Sequence, residues 1–263
     1  MVEITAFDEF NDPGKPRRVM KYVLIGCSEG SVTVVSDENE FQIKSHQVFT
    51  VTSGQIHYFK KIKGAKGFIL EFTLDFFSKN DKDIELIFHN GLFCHFTINE
   101  VIPVPKYSAI EAQFKLIRKE LVQRPYQYLI SIHSRIELIL VEINRAKIQR
   151  GDEIYKPDAL FLRFLELVRA NFENNYSVRH FAGLLSTTET RLNEQAKQHA
   201  GKTAQNVIYG LIVSEAKRLL TYHNLSVKEV AHQLGFNDPF YFSNFFKKHT
   251  GLSPKTYQSR FAL

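Results

Sequence analysis

Residues 226–254 read SVKEVAHQLGFNDPFYFSNFFKKHTGLSP and contain the pattern of two short helices joined by a tight turn. The first part carries apolar residues at helical spacing, namely Val227, Val230, Ala231 and Leu234. Gly235 follows, and glycine tolerates the positive φ that a sharp turn between two helices requires. Asp238 then caps a second helix, and Pro239 occupies its first position, where a missing N–H has no cost. The stretch therefore predicts a helix-turn-helix motif.

A less sharply defined copy of this pattern lies about fifty residues upstream. Residues 177–185 align with residues 226–234 at an offset of 49, and the four matching apolar positions are Val178, Phe181, Ala182 and Leu185. Beyond the turn the offset becomes 50, so the first turn is one residue shorter. Ser186 replaces the turn glycine there, and Thr188 takes the capping position. Because a pair of such motifs is typical of proteins that grip duplex DNA, this part of the chain is predicted to read DNA.

The end of the sequence resembles a known family of regulators. Residues 215–220, Glu-Ala-Lys-Arg-Leu-Leu, followed by the stretch at 226–254, are similar to the signature of the AraC/XylS family of transcriptional regulators. The resemblance covers roughly Leu160 to Phe261. It implies one long helix, here Ala204 to Leu220, that joins the two motifs so that both recognition helices enter successive major grooves. A helix of that length spans about 25 Å at ~1.5 Å per residue, which suits the ~34 Å groove repeat once both motifs are added.

The resemblance also implies which residues read the bases. Aligned on Leu192 and Phe242, the base-reading positions fall on Thr190, Asn193, Glu194, Pro239, Phe240, Tyr241, Ser243 and Asn244. Asn193 and Asn244 can bond adenine edges through both amide atoms, and Glu194 can accept from cytosine N4. The rings and Thr190 can contact thymine methyl groups. An arginine that is common in the family at the place of Glu194 is absent here.

The charge distribution agrees with a nucleic-acid partner. Residues 157–263 hold 13 Lys and Arg against 8 Asp and Glu, whereas residues 1–156 hold 21 against 20. Lysines near the expected helix ends are candidates for contacts with the DNA backbone, namely Lys197, Lys202, Lys247, Lys248 and Lys255. Any one of them is more often a solvated surface residue, so the prediction depends on the repeated motif rather than on single charges.

The first half of the chain has a different pattern. Short β-rich runs separated by Gly, Ser, Asn or Asp occur at 22–26, 31–35, 40–43, 48–51, 57–60 and 67–72. Regular short strands with turn signals predict an antiparallel β barrel or jelly roll. Residues 47–59 resemble the strand-turn-strand of cupin-like sensor domains of the same family.

Two helical stretches follow, residues 107–122 and 126–147, separated by Pro125. They predict a helical hairpin that packs on the barrel. Helices in this place often form the dimer contact in the resembling family, which makes a stripe on the second helix a candidate partner-facing surface: Ile132, Ile136, Ile139 and Ile143. The alternative is that this stripe is an intramolecular core face, as is usual for apolar stripes.

Candidate ligands of the barrel are small molecules rather than metals. An effector pocket can be lined by Phe41, Phe49, Tyr58 and Phe68, with Phe59 and Phe72 nearby, although aromatic residues on strands are more often plain core. No metal or other cofactor is expected, because His46 and His57 stand eleven residues apart without a His-x-His pair. His89, Cys94 and His95 are interpreted as packing residues, and the two cysteines, Cys27 and Cys94, as small buried apolar side chains.

The predicted fold class is α+β. An N-terminal antiparallel β barrel or jelly roll of the cupin-like type, with a helical hairpin, spans residues 1–149, and a linker spans 150–157. An all-α domain with two helix-turn-helix motifs joined by a long helix spans 158–263. The N-terminal residues do not resemble a signal peptide, and no apolar run approaches the ~18 residues of a membrane span, so a cytoplasmic protein without a membrane partner is expected.

The function hypothesis is a sequence-specific, DNA-binding transcriptional regulator whose activity is modulated by a small effector or by dimerisation. Its expected partners are double-stranded DNA, RNA polymerase, a small-molecule effector and a second copy of the chain. No enzyme is expected, because the sequence lacks the nucleophile elbow, the phosphate loop, the zinc-protease helix and the dinucleotide fingerprint. Two alternatives stay open: a metal-dependent cupin enzyme fused to a DNA-binding tail, and a helical bundle that docks on another protein.

Overall fold

The computed structural model describes residues 1–10, 14–37, 39–88, 92–93, 99–152, 159–222 and 225–261. The chain divides into two units, Met1–Lys156 and Pro157–Leu263. Of the predicted linker 150–157, the described part holds the end of a helix at Arg150, its C-cap Gly151, and Asp152. The remainder of that linker, like His89, Cys94 and His95, lies outside the described residues.

The first unit is built on one sheet of antiparallel strands. The strands are β1 (Val2–Ala6), β2 (Arg17–Arg18), β3 (Tyr22–Ser36), β4 (Asn39–Lys44), β5 (Gln47–Val51), β6 (Ile56–Phe72) and β7 (Val101–Pro103). Their order is β1-β6-β3-β5-β7, with β2 also paired to β6 and β4 to β3. A short 3₁₀ helix, Phe7–Glu9, follows β1.

Two long strands give this sheet its curvature. β3 and β6 pair from Tyr22↔Phe72 to Ser36↔His57, with register shifts between Cys27 and Ser31 and again after Thr33. The expected breaks after residues 26 and 60 were therefore wrong, because Gly30, at φ 73°, lies at a bulge inside β3, and Gly64, at φ 51°, lies inside β6 rather than in a loop. β5 pairs with the first half of β3 and β4 with the second half, so the sheet rolls around an apolar interior.

That interior holds the core of the first unit. Its fully buried members come from β3, β4, β5 and β6: Val23, Ile25, Cys27, Val32, Val34, Ile43, Phe49, Val51, Phe59 and Ile69. Cys27 is buried as expected, its thiol donates to the Glu29 carbonyl, and burial raises its pKa to about 11. A thiol of that pKa is inert at neutral pH.

The described part of the first unit also contains the helices α1 (Leu74–Phe77), α2 (Asp81–Phe88), α3 (Tyr107–Gln123) and α4 (Tyr128–Arg150). α3 and α4 form the predicted hairpin, and α3 packs on the outer face of the sheet through contacts such as Phe114 against Phe68, with ring centroids 5.6 Å apart. Together with the helical second unit, these elements confirm the α+β class.

The predicted dimer stripe on α4 is corrected by the structure. Ile132, Ile136, Ile139 and Ile143 are all 0% exposed within a single chain. A side chain that is already buried intramolecularly has no surface to offer a partner, so the stripe is the core face of the hairpin.

The described residues of the second unit form helices and the turns between them, without a strand. Its helices are α5 (Ala159–Arg169), α6 (Val178–Leu184), α7 (Glu189–Ala200), α8 (Ala204–Tyr222), α9 (Val227–Gln233), α10 (Pro239–Thr250) and α11 (Pro254–Phe261). α8 is the predicted connecting helix, and its 19 residues span about 28 Å. Among the described residues of the whole chain, no helix has both the length and the apolar character needed to cross a membrane.

Candidate nucleic-acid interface

The two helix-turn-helix motifs close their turns with the same hydrogen bonds. In the second motif, between α9 and α10, Phe236 N donates to Ala231 O at 2.9 Å. In the first motif, between α6 and α7, Thr187 N donates to Ala182 O at 2.9 Å, at the offset of 49 found in the sequence. Ser186 has φ 51° where Gly235 has φ 73°, so a serine adopts the left-handed conformation that the second motif gives to glycine.

The start of each second helix is fixed by a side-chain cap. Asp238 accepts from Phe240 N at the start of α10, where Pro239 is the first helical residue. Thr188 accepts from Arg191 N at the start of α7. Because these caps satisfy backbone donors that a helix start leaves free, each helix begins at a defined residue relative to its turn. The predicted turn and capping residues are confirmed.

The outward face of α10 presents large apolar rings to solvent. Phe242 and Phe246 are buried on the opposite face, whereas Phe240 is 72% and Tyr241 is 69% exposed. Asn244 and Lys248 are also exposed on this helix. Two adjacent exposed rings beside free polar groups are typical of a binding surface rather than of a solvated helix, and rings can contact thymine methyl groups.

Two other predicted readers on α10 are less accessible. Pro239 and Ser243 are half-buried, and the Ser243 hydroxyl donates to the Pro239 carbonyl at 2.8 Å. A base contact by Ser243 would therefore use the hydroxyl oxygen as an acceptor or break this bond.

The first recognition helix, α7, exposes Thr190 and Glu194 as expected. It also exposes Arg191, which the sequence analysis did not select and which occupies the place of Tyr241 at the offset of 50. No acidic side chain among the described residues forms an ion pair with Arg191, and its guanidinium is the group that reads guanine most often. The repeat could have identified Arg191 from the sequence, because the offset of 50 leads from the exposed Tyr241 of α10 to this residue.

Asn193 has a structural role on the same helix. Its side-chain NH₂ donates to Glu189 O at 3.0 Å, and its carbonyl oxygen accepts from Ala204 N at 3.0 Å, at the start of α8. Both groups that would bond an adenine edge are thus engaged with backbone atoms. An adenine contact by Asn193 stays a prediction that would require both bonds to open, and Asn244 has no such engagement among the described residues.

The five candidate backbone lysines are all exposed: Lys197, Lys202, Lys247, Lys248 and Lys255. None of them forms an ion pair with an acidic side chain in the described part of the chain. Lys247 and Lys248 stand in the last turn of α10 beside His249, whose pKa is lowered by burial and then by the charge of Lys248. Unpaired cations at this helix end are available for phosphate oxygens.

The four aromatic residues proposed for an effector pocket do not line one cavity. Phe41 and Phe49 face the interior of the roll, with ring centroids 4.8 Å apart. Phe68 is on the outer face against Phe114 of α3, and Tyr58 is paired with Val35 rather than with the inward-facing Val34. Because side chains alternate between the two faces of a strand, Tyr58 and Phe68 cannot contribute to the same interior site as Phe49.

The interior instead contains a cluster of polar residues near one end. Arg17, Ser36 and His57 are cross-strand neighbours on β2, β3 and β6. Arg17 lies 2.6 Å from Glu71 and its guanidinium lies over the Phe10 ring at 4.6 Å. Three buried atoms of the cluster lack a hydrogen-bond partner in the described part of the chain, namely Arg17 Nε, Ser36 Oγ and His57 Nε2. Buried polar atoms are normally paired, so these three atoms stand out from the otherwise apolar interior.

His57 is neutral in this cluster. Burial, and then the positive charge of Arg17, lowers its pKa to about 3. Its Nδ1 lies 3.4 Å from the Gln55 carbonyl, an acceptor, so we assign the ring proton to Nδ1. Nε2 is then an acceptor, on a residue that is paired across the sheet with Arg17 and with Ser36.

The neutral His57 predicts a pH dependence of stability. The native ring stays neutral down to about pH 3, whereas its ordinary pKa is 6.5. The unfolded chain therefore binds more protons in this window, and stability falls as the pH is lowered through it. Between pH 7 and pH 5, we expect wild type to lose up to about 2 kcal/mol more unfolding free energy than His57→Gln. Urea unfolding at each pH, followed by hydrogen exchange of peptides from β3 and β6, measures this difference.

The matched control is His46→Gln, because His46 is exposed at the turn before β5 and stacks on Tyr107 rather than lying in the interior. This variant should keep the pH dependence of wild type. Parallel pH curves for wild type and His57→Gln would contradict the buried neutral ring.

Comparisons with known proteins match both units. A family model described as an AraC-like ligand binding domain matches residues 7–135, and one described as a helix-turn-helix domain matches residues 181–260. The HTH-type transcriptional activator RhaS of Enterobacter sp. (strain 638) is 29% identical over 117 residues, which cover 44% of this chain and 41% of the relative. The raffinose operon transcriptional regulatory protein RafR of Pediococcus pentosaceus is 29% identical over 91 residues, 35% of this chain and 33% of the relative.

Among solved structures, ToxT from Vibrio cholerae aligns over 99% of this chain and 98% of its own length, with 13% identity and a TM-score of 0.44. The match to the curated relatives is shorter: the chain spans about two fifths of the length of RhaS.

Proposed function

Since this chain belongs to the AraC family, with both an AraC-like ligand binding domain and a helix-turn-helix domain, we propose that it is a sequence-specific DNA-binding transcriptional regulator. Its activity is modulated through the first unit by a small effector or by dimerisation. It acts by binding and has no catalytic role. As a regulator of promoter DNA it works in the cytoplasm.

One observation carries the proposal: two helix-turn-helix motifs with the same turn geometry stand on either side of a single 19-residue helix. The length of α8, about 28 Å, is close to the groove repeat of ~34 Å, which lets one chain serve two successive major grooves. On α10 the readers are Phe240, Tyr241 and Asn244. On α7 they are Thr190, Arg191 and Glu194.

The lysines provide the part of the affinity that does not depend on sequence. Lys197 and Lys202 flank the end of α7, Lys247 and Lys248 lie at the end of α10, and Lys255 lies in the first turn of α11. Contacts from these positions to phosphates would fix the protein on the duplex and make its affinity fall with salt.

The effector site is the polar cluster of Arg17, Ser36 and His57 rather than the predicted aromatic set. Its unpaired donor, hydroxyl and acceptor suit a small molecule that carries hydroxyl groups. For such a molecule to regulate DNA binding, it must bind the DNA-competent arrangement with a different affinity from the other.

Contact with RNA polymerase and association of two chains remain part of the proposal. A dimer would use side chains of the hairpin other than the four buried isoleucines. A metal-dependent cupin enzyme is not favoured, because His46 stacks on Tyr107 outside the interior while His57 is buried inside it.

Selection from a pool of random duplexes with the full purified chain tests the proposal. We expect enrichment of one motif with two blocks of preferred bases, and a change in the enriched fraction when polyhydroxylated metabolites are added. If the chain were instead a helical bundle that docks on another protein, the pool of duplexes would stay random. Such a pool would contradict the proposal.

A further inference from the structure

A second group of polar side chains lies between α2 and α4, away from the interior of the roll. Asp83 on α2 and His133 on α4 are 5% and 6% exposed, and Glu137 follows one turn after His133. One ring nitrogen of His133 and one oxygen of each carboxylate lie within 4.8 Å of one another. Two helices thus bring an imidazole and two carboxylates together.

In the part of the chain that the structure describes, no lysine or arginine balances the negative charge of this group. Among the described residues, no Lys or Arg forms an ion pair with Asp83 or Glu137, and the Asp83 carboxylate accepts only from the Lys79 backbone N–H at 2.7 Å besides approaching the His133 ring. A buried carboxylate without a positive partner is costly, and a bound cation would supply the missing charge.

The distances around the ring leave room for a cation at Nδ1. Nε2 has the Phe77 carbonyl at 2.7 Å, whereas Glu137 Oε2 is 3.5 Å from Nδ1, longer than a hydrogen bond, and Asp83 Oδ2 is 3.8 Å from Nε2. Ligands at 2.0–2.2 Å from a tetrahedral zinc ion are themselves about 3.4 Å apart. The Nδ1 to Oε2 distance already has this value.

The His133 ring is also held as a metal ligand would be. Nε2 donates to the Phe77 carbonyl at 2.7 Å, and the Phe77 ring stacks on the imidazole with centroids 4.8 Å apart. Because a carbonyl can only accept, the proton is on Nε2, and Nδ1 directs its lone pair towards Glu137. A ligating histidine typically donates its other N–H to a carbonyl or carboxylate in this way, which fixes the tautomer and the ring orientation.

We propose that Asp83, His133 and Glu137 bind one divalent transition-metal ion of the zinc type and thereby tie α2 to α4 in the first unit. One imidazole and two carboxylates suit zinc better than magnesium, which prefers an all-oxygen octahedral shell. Three protein ligands leave a fourth position for water. The site is independent of the DNA-binding proposal, because it involves no residue of the second unit and none of the Arg17, Ser36 and His57 cluster.

Isothermal titration of the chelator-treated full chain with Zn²⁺ tests the site. We expect one ion per chain and a rise in the unfolding temperature of the first unit, since a ligand that binds only the folded state stabilises it. Glu137→Gln and His133→Gln should each weaken Zn²⁺ binding at least tenfold, and Zn²⁺ should no longer stabilise them. In His133→Gln the side-chain amide can still donate to the Phe77 carbonyl, which separates loss of the ligand from loss of that bond.

His46→Gln is the control for adventitious binding, because His46 is exposed and far from the cluster in sequence and packing. It should bind Zn²⁺ as wild type does. Substitution with Co²⁺ should give visible absorption bands that Glu137→Gln lacks. Absence of stoichiometric Zn²⁺ binding, or equal binding by wild type and both ligand variants, would overturn the proposal.

Discussion

Gly235→Ala is expected to destabilise the second unit by about 3 kcal/mol and to abolish the contribution of α10 to DNA binding. Gly235 has φ 73°, a conformation that costs an alanine roughly 1 kcal/mol or more. A Cβ at this position would also lie 2.5 Å from the Glu173 carbonyl oxygen and 2.9 Å from its carbon. Both are backbone atoms, so the clash can be relieved only by moving the turn away from the 3₁₀ helix Phe172–Asn174.

Gly251→Ala is the matched control for this prediction. Gly251 caps the end of α10 with φ 79°, and a Cβ there would meet nothing within 4 Å. It should therefore cost only the conformational term, about 1 kcal/mol. Urea unfolding of the full chain, followed by hydrogen exchange of peptides from α9 and α10, separates the two. Equal losses in both variants would mean that the close approach to Glu173 does not matter.

Asn244→Ala should remove selectivity at one base position, whereas Lys248→Ala should weaken binding to every sequence. Asn244 is exposed on α10, and its amide is free among the described residues to pair with an adenine edge, a contact that discriminates by roughly 1–3 kcal/mol. Lys248 is exposed one turn further along and carries charge without base information. Its loss should lower the slope of log affinity against log salt by about 1.

Binding of both variants to the selected site and to single-base variants of it, at several salt concentrations, tests this pair. The two substitutions serve as controls for each other, because both truncate an exposed side chain of the same helix. If Asn244→Ala selected the same motif as wild type with the same base preferences, its role as a reader would have to be abandoned.

The second unit was predictable because local chemistry decides it. The spacing of Val230, Ala231 and Leu234 determines the buried face of α9, and Gly235, Asp238 and Pro239 each require one backbone conformation. The turn of the first motif was also predictable from the repeat, since Ser186 adopts the left-handed conformation, at φ 51°, that its place in the repeat requires. Asn193 shows the limit: its exposed position in the sequence pattern gave no sign that Ala204 N donates to it from the next helix.

The first unit was less predictable because strand register is not a local property. In the sequence, Gly30 predicts a break between two strands, yet it lies at a bulge inside one strand. The register shifts around this bulge decide which side chains face inward. The sequence pattern placed Tyr58 and Phe68 in the interior, whereas their neighbours Phe59 and Ile69 face it in the structure. Helical periodicity likewise identified the four isoleucines of α4 as one apolar face. It could not tell whether that face packs against the same chain or against a second copy.

The approach of Asp83 to His133 had no signal in the sequence. The two residues are fifty positions apart in the sequence and are brought together only by the packing of α2 on α4. Of the three residues in this cluster, only His133 and Glu137 are close in the sequence, one helical turn apart.

Hydroxyl-radical footprinting of the full chain on its selected duplex is the most direct test of two motifs joined by one helix. Two protected segments on one face of the DNA are expected, with centres roughly 10 base pairs apart, one for α7 and one for α10. Gly235→Ala should lose the α10 segment and keep the other. A single protected segment for wild type, or two segments on opposite faces of the duplex, would contradict the account.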